Sequence, residues 1–331
     1  MSTAQNPVKH PWQGRIDAED GANAKRWHDI VNQSREVNQI NESESRTPLA
    51  LIGFCCDAGV ARNQGRIGAA AGPAALRSAL ANNAWHGHAA VFDVGDVFCV
   101  GDQLEAAQAE LAEIVCAQLA QNRMPVTLGG GHEVAFGSWL GLRTHLLRSQ
   151  SADGDETASQ KIPRVSILNL DAHFDLRAGE KGSSGTPFRQ IADDCNALGW
   201  PFQYGCLGVA RASNTAALFE RADSLGVWWR DDRQMEPSHL PEIHAQLSAF
   251  LARCDQLYLT ICLDVLPSAI APGVSAPAAA GVQLSVLESI IDAAIASGKL
   301  KICDVAELNP RFDIDSRTAK VAARLVAKFA D

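Results

Sequence analysis

The chain has 331 residues, of which 47% are hydrophobic, and a formal net charge of −9. This size suits one large α/β core or two small domains, and we favour one domain. The acidic charge and the lack of a basic run argue against nucleic-acid binding. We expect no membrane span or signal peptide, and nine cysteines without metal-finger spacing favour a reduced, cytoplasmic protein.

The first 47 residues are polar and carry two aromatic anchors, Trp12 and Trp27. We expect residues 1–47 to be an N-terminal extension packed on a single domain that spans residues 48–331. Eight apolar segments within that domain predict strands. They are residues 49–56, 89–97, 124–128, 165–171, 202–209, 226–229, 257–264 and 300–308.

Seven segments between these strands have apolar residues spaced by three and four positions, which predicts amphipathic helices. They are residues 73–82, 103–122, 133–147, 214–225, 241–254, 284–297 and 316–329. Strands that alternate with helices predict a mostly parallel sheet covered by helices on both faces, which is an α/β fold. Residues 149–160 are polar and irregular, and we expect a mobile surface loop there.

The predicted strand at 165–171 ends in a run that alternates possible metal ligands: Asp171, His173 and Asp175. Alternate residues of a strand share one face, so these side chains can converge. Two carboxylates and an imidazole in an apolar setting favour a divalent cation between them. Taken alone, the motif is also compatible with a strand that ends in a solvated polar loop.

Three other predicted strands also end in acids or histidine. The run PVTLGGGHE contains His132, YLTICLD ends in Asp264, and LKICDVAELNP contains Asp304 and Glu307. In open α/β sheets, binding sites form where the carboxyl ends of neighbouring strands meet. We therefore expect these side chains to lie near Asp171.

Three motifs in this order resemble the ureohydrolase family, which includes arginases, agmatinases and formimidoylglutamases. They are GGGHE at 129–133, NLDAHFD at 169–175 and ICLDVLPSAIAPGVSAP at 261–277. Further runs are more similar to the formimidoylglutamase subgroup than to arginases. These are NQGR at 63–66, SGTPF at 184–188, RASNT at 211–215 and DVAELNP at 304–310.

The resemblance implies an arginase-like, three-layer α/β/α fold with an eight-stranded sheet and two Mn²⁺ ions. It implies that His132 and Asp175 ligate one ion, that His173 and Asp264 ligate the other, and that Asp171 bridges them. A homo-oligomer with a small-molecule substrate is also implied.

The second bridging position of the family falls on Cys262, where the family has aspartate. A thiolate is a single soft ligand that favours zinc, iron or cobalt over manganese. Cys262 could therefore bridge a different metal pair, leave one site weak, or be a buried thiol without a metal.

The resemblance implies hydrolysis of N-formimidoyl-L-glutamate to L-glutamate and formamide, a step in histidine degradation. Two metal ions would activate water for attack on the amidine carbon. Asp175 is our candidate proton relay. Glu307 would bind the cationic amidine through a charge-assisted hydrogen bond, although it could equally be an exposed acid after a strand.

The two carboxylates of such a substrate require cationic partners. Arg66 and Arg211 are the candidates, with Ser184 and Asn214 as hydrogen-bond donors, although most arginines are solvated surface groups. Alternatives are an agmatinase or guanidinobutyrase type of hydrolase, and a metal-impaired, non-catalytic member of the family. A nucleotide-binding protein is disfavoured because GGGH lacks a phosphate-binding glycine pattern.

Overall fold

The computed structural model describes residues 12–33, 46–152 and 162–331. Its centre is one sheet in which every pair of neighbouring strands is parallel. The strands are β1 (Leu49–Cys55), β2 (Val91–Phe98), β3 (Met124–Leu128), β4 (Val165–Leu170), β5 (Gln203–Val209), β6 (Trp228–Asp231), β7 (Gln256–Cys262) and β8 (Leu300–Ala306). Their order across the sheet is β2-β1-β3-β8-β7-β4-β5-β6.

Ten α-helices lie within the described residues. They are α1 (Trp27–Ile30), α2 (Ala58–Arg62), α3 (Gly72–Ala81), α4 (Leu104–Ala120), α5 (Val134–Ala152), α6 (Pro187–Leu198), α7 (Ala216–Ser224), α8 (Leu240–Leu251), α9 (Leu284–Ala296) and α10 (Arg317–Ala327).

The sheet separates two hydrophobic cores because alternate strand residues point to opposite faces. In β1, Leu49 and Leu51 pack into one core together with apolar residues of α3, α8, α9 and α10. Ala50 and Ile52 pack into the other core with residues of α4, α5, α6 and α7. This arrangement confirms the predicted three-layer α/β/α fold and all eight strands.

The sequence-based interpretation missed α6 and the short helices α1 and α2. For α6 the signals were present: Pro187 lies in the first turn, and Gly199 ends the helix in a left-handed conformation. Residues 149–152 were predicted as a loop, which is wrong because α5 continues to Ala152. The rest of that predicted loop, residues 153–160, falls outside the described residues.

The described part of the N-terminal segment contacts the domain through its two tryptophans. The Trp12 indole N–H donates to Asp93 Oδ2 at 2.6 Å. Trp27 is 1% exposed and packs edge to face against Trp85, with ring centroids 5.0 Å apart. The division of the chain at residue 47 stays a prediction.

Candidate metal centre

The predicted metal ligands lie at the carboxyl ends of β3, β7 and β4, and Glu307 follows β8, which lies between β3 and β7. His132 follows β3 after three glycines, Asp171 follows β4 directly, and Asp264 lies just beyond β7. Because the strands are parallel, these ends meet at one edge of the sheet.

Two imidazoles face three carboxylates at short range. His132 Nδ1 lies 2.9 Å from Asp171 Oδ2 and 2.9 Å from Asp175 Oδ2. His173 Nδ1 lies 3.1 Å from Asp264 Oδ2 and 3.5 Å from Asp171 Oδ1. Asp171 thus presents one oxygen to each histidine, so the five side chains form two groups that share this carboxylate.

Cys262 lies within the first of these groups. Ligand atoms of His132, Asp171 and Cys262 are within 4.8 Å of one another, as are those of Asp171, His173 and Asp264. Burial raises the pKa of the Cys262 thiol, and the charges of Asp171 and Asp264 contribute to this increase. A thiolate at this position therefore requires a nearby cation.

The composition of this cluster fits divalent cations. Within the described ranges, neither lysine nor arginine forms an ion pair with Asp171, Asp175 or Asp264. His132 Nδ1 and Asp264 Oδ1 are buried, and neither has hydrogen-bond geometry with a described residue, although Nδ1 lies close to two carboxylate oxygens. Buried carboxylates without a counter-charge are costly, and oxygen and imidazole donors suit divalent metals.

Asn214 holds the loop that carries the ligands after β4. Its side-chain oxygen accepts from the backbone N–H of Phe174 at 3.1 Å. Its amide nitrogen donates to the carbonyl oxygens of Ala172 and Ala210, each at 2.9 Å. Both amide hydrogens are therefore used within the protein, so Asn214, which also lines the cavity, holds this loop in place. Its donation to a substrate stays a prediction.

Three residues that line the cavity above the cluster have left-handed backbone conformations. The φ angles are 61° at Gln64, 48° at Asp175 and 73° at Glu307. Such angles are unfavourable for side chains other than glycine and are concentrated at functional sites. The unfavourable backbone conformation at these three residues therefore orients their side chains at a local cost in stability.

Glu307 is 4% exposed, so the alternative that it is a surface acid is wrong. Its Oε1 accepts from the His132 backbone N–H at 3.0 Å, whereas Oε2 is buried and has no partner among the described residues. Burial, with the charges of Glu133 and Asp264, raises the pKa of Glu307 to about 8. The free oxygen is available to a cationic group in the cavity.

Burial and the charge of Asp171 together raise the pKa of Asp175 to about 6, although His132 opposes the shift. A bound cation would lower this pKa again because it favours the carboxylate. Burial thus favours a proton on Asp175 whereas a bound cation favours the carboxylate, so the protonation state of Asp175 depends on the metal.

The cavity has a volume of about 290 Å³, at the small end of ligand sites. Arg66 lines it, but its Nε donates to the Ser275 carbonyl at 3.0 Å and its guanidinium also donates to the Val274 carbonyl. The guanidinium stacks on Phe312 at 4.1 Å. Arg66 therefore reaches the cavity with part of its donor capacity already used.

Ser184 also lines the cavity and is buried. Its hydroxyl oxygen accepts from the Asn63 side-chain amide at 3.1 Å. The hydroxyl hydrogen remains available to a ligand.

Arg211 does not line the cavity. Its side chain is 57% exposed, and its Nε pairs with Asp231 Oδ2 at 2.7 Å. Arg177 lines the cavity instead, and its guanidinium has no hydrogen-bond partner in the described part of the chain. Arg177 was not among the residues predicted from sequence, although it lies two residues after Asp175.

The Arginase family model matches residues 47–330. The chain belongs to the arginase family. It is 55% identical over 331 residues to a formimidoylglutamase of Ralstonia nicotianae, covering 100% of this chain and 97% of the relative. It is 53% identical over 323 residues to a formimidoylglutamase of Aeromonas hydrophila, covering 97% of each. These relatives confirm the ureohydrolase resemblance and make this arginase-family chain a hydrolase.

Solved structures of the family have the same fold. A Bacillus subtilis formimidoylglutamase superposes with a TM-score of 0.75 at 19% identity, covering 100% of this chain and 95% of the other. A Trypanosoma cruzi formiminoglutamase with Mn²⁺ superposes with a TM-score of 0.71 at 25% identity, covering 88% and 94%. Among the described residues of our arginase-family chain, no helix is both long and apolar enough to cross a bilayer.

Proposed function

We propose that this arginase-family hydrolase converts N-formimidoyl-L-glutamate and water to L-glutamate and formamide, using two Mn²⁺ ions. The observation that carries the proposal is the pair of histidine and carboxylate groups that share Asp171 beneath a small cavity. The relatives from R. nicotianae and A. hydrophila, named formimidoylglutamases, support the substrate. The Mn²⁺ of the T. cruzi relative supports the metal.

Residues on both sides of Asp171 would hold the metal pair. His132 and Asp175 face one position, whereas His173 and Asp264 face the other. Asp171 lies between the two positions. Two bound divalent ions lower the pKa of a water molecule and thereby supply a nucleophile at neutral pH.

The remaining cavity groups match the charges of the substrate. The free Glu307 oxygen would accept hydrogen bonds from the cationic amidine, which lowers the pKa of this carboxyl. Arg177 and the free donors of Arg66 would bind the substrate carboxylates, and Ser184 would donate a hydrogen bond.

The reaction forms a bond between the water oxygen and the amidine carbon, and it breaks the bond from this carbon to the glutamate nitrogen. The leaving nitrogen must gain a proton. Asp175 would take a proton from the water and deliver it to this nitrogen, which leaves the carboxyl group unchanged overall.

A matched pair of substrates tests this proposal. Formamide and glutamate should appear in equal amounts from N-formimidoyl-L-glutamate, and agmatine should give no urea. We expect this preference because a cationic tail would face Arg66 and Arg177. Urea release without formamide would favour the guanidine hydrolases. No turnover of either, with fewer than two ions bound, would favour the metal-impaired member that Cys262 suggests.

We also expect a homo-oligomer, which sedimentation of the Mn²⁺-loaded protein would test. A monomer at micromolar concentration would contradict it.

A further inference from the structure

A row of buried polar side chains crosses the centre of the sheet immediately below the metal ligands. Thr127 of β3 pairs in register with Asp304 of β8, which pairs with Thr260 of β7, which pairs with Asn169 of β4. Each is at most 1% exposed. Central parallel strands normally carry apolar residues at such positions, so this polar row, as we call the four residues, requires an explanation.

Two members of the polar row contact the proposed metal ligands directly. Thr260 Oγ1 lies 2.9 Å from His132 Nε2, the ring nitrogen that faces away from the cluster. The Asn169 side-chain amide donates to Asp171 Oδ2 at 3.0 Å. The row therefore supports the ligands from inside the sheet.

Asp304 does not touch a ligand, yet its carboxylate lies beside the residue that does. Asp304 Oδ2 accepts from the Tyr258 hydroxyl at 2.5 Å, whereas Oδ1 is buried and has no hydrogen bond to a described residue. Burial raises the pKa of Asp304, and the nearby charge of His132 and the hydroxyls of Thr260, Tyr258 and Ser138 oppose this shift. Asp304 thus offers an unused acceptor next to the Thr260 hydroxyl.

The single hydroxyl hydrogen of Thr260 can point in only one direction at a time. If it points to Asp304, Thr260 Oγ1 accepts from the Nε2–H of His132, and Nδ1 keeps its lone pair for a cation. If it points to Nε2, then Nδ1 carries the hydrogen and cannot act as a ligand. A negative acceptor beside Thr260 selects the first arrangement.

We propose that Asp304 is a positioning residue that acts through Thr260 to fix the tautomer and the ring orientation of His132. This inference rests on the proposed metal pair. It gives a role to Asp304, a buried acid that takes no part in the proposed reaction. Removal of a group that orients a metal ligand in this way typically lowers metal affinity strongly.

The experiment measures Mn²⁺ affinity by electron paramagnetic resonance, without substrate. We expect Thr260→Val and Asp304→Asn each to weaken one of the two ions by about 10- to 100-fold. The double variant should be no weaker than the weaker single variant, because both changes break the same connection. Thr260→Ser keeps the hydroxyl and should restore affinity to near the original value.

A second measurement reports the tautomer itself. Nitrogen-15 spectra of histidine-labelled protein, loaded with diamagnetic Zn²⁺, should show His132 with its hydrogen on Nε2. At the same sub-saturating Zn²⁺ concentration, a larger share of His132 in the Asp304→Asn variant should have lost the metal and carry its hydrogen on Nδ1. A change confined to core packing would leave the tautomer unaltered.

Two matched variants serve as controls. Thr127→Val alters an equally buried threonine on the other side of Asp304, and Tyr258→Phe removes a hydroxyl while leaving the carboxylate beside Thr260. Both should keep the original Mn²⁺ affinity.

Several results would overturn the inference. One is unchanged Mn²⁺ affinity in Asp304→Asn. Another is a double variant whose loss of affinity equals the product of the two single losses. A third is a loss of affinity in Tyr258→Phe equal to that in Asp304→Asn. If Asp304→Asn does not fold, full affinity in Thr260→Val would decide against it. If metal binding follows the expected pattern but formimidoylglutamate is not hydrolysed, only the proposed function fails.

Discussion

Replacement of Arg177 by alanine removes the cavity guanidinium that has no protein partner in the described structure. A hydrogen bond between charged groups contributes about 1.5–3 kcal/mol, so kcat/KM for N-formimidoyl-L-glutamate should fall about 10- to 150-fold. The change should appear mainly in KM. The substrate carboxylates are remote from the reacting carbon, so the contact is the same in the ground state and the transition state.

Initial rates of formamide release, measured over a range of substrate concentrations, separate kcat from KM. Arg177→Lys should lie between the original and the alanine variant because it keeps a charge but loses the planar fork. Arg211→Ala is the matched control. Since Arg211 is 57% exposed and paired with Asp231, its loss should change kcat/KM by less than about twofold.

Unchanged kinetics in Arg177→Ala would refute this reasoning, as would an equal loss in Arg211→Ala. An equal loss in Arg211→Ala would support Arg211 as a substrate-binding residue, as the sequence predicts.

Three further predictions concern the metal, the core and pH. Cys262→Asp should raise Mn²⁺ affinity and give two ions per chain by elemental analysis, since an oxygen ligand suits manganese better than sulfur. Arg77→Met should lower the free energy of unfolding in urea by about 3–5 kcal/mol, because Arg77 is 2% exposed and pairs with Asp93 at 2.8 Å. Burial raises the pKa of Asp231, but the hydrogen bonds from Arg233, Asp232 and Arg211 together outweigh burial and lower this pKa overall. The stabilisation is therefore complete above the usual aspartate pKa and lost at lower pH, and Asp231→Asn should flatten the acid side of the stability curve.

Each of these variants has a control of the same chemistry. Cys303→Ser changes another buried thiol and should leave the metal content unaltered. Arg164→Met breaks a half-exposed pair and should cost less than about 1 kcal/mol. Asp193→Asn changes a carboxylate that is 66% exposed and should leave the loss of stability at acid pH unchanged. A matching effect in a control would contradict the corresponding prediction.

The strands and the place of the metal site could be predicted from sequence because they depend on local patterns. Each apolar strand that ended in an acid or histidine implied a position at one edge of a parallel sheet, and His132, Asp171 and Asp264 do meet there. Strand order was not accessible, because nothing local in β8 indicates that it lies between β3 and β7.

Two of the predicted substrate contacts meet competition from within the fold. Asn214 and Arg211 have donors that a substrate could use, but neighbours reached only through the tertiary fold already occupy both amide hydrogens of Asn214 and the Nε of Arg211. Arg177 has the same chemistry and no such neighbour. Residue type therefore predicts what a side chain can bind, whereas competition within the fold decides what it does bind.

The position of β8 constrains how the chain can fold. β8 comes after the other seven strands in sequence, yet it separates the block β2-β1-β3 from the block β7-β4-β5-β6. Chains emerge from the ribosome amino end first, at about 5–20 residues per second. Until residues 300–306 are inserted, each block keeps an unpaired edge, and His132 stays apart from Asp171. A nascent chain that stops before β8 should therefore lack the group around His132, whereas Asp171, His173 and Asp264 all belong to the block that contains β4 and β7. Completion of the two-metal centre should be the last event in folding.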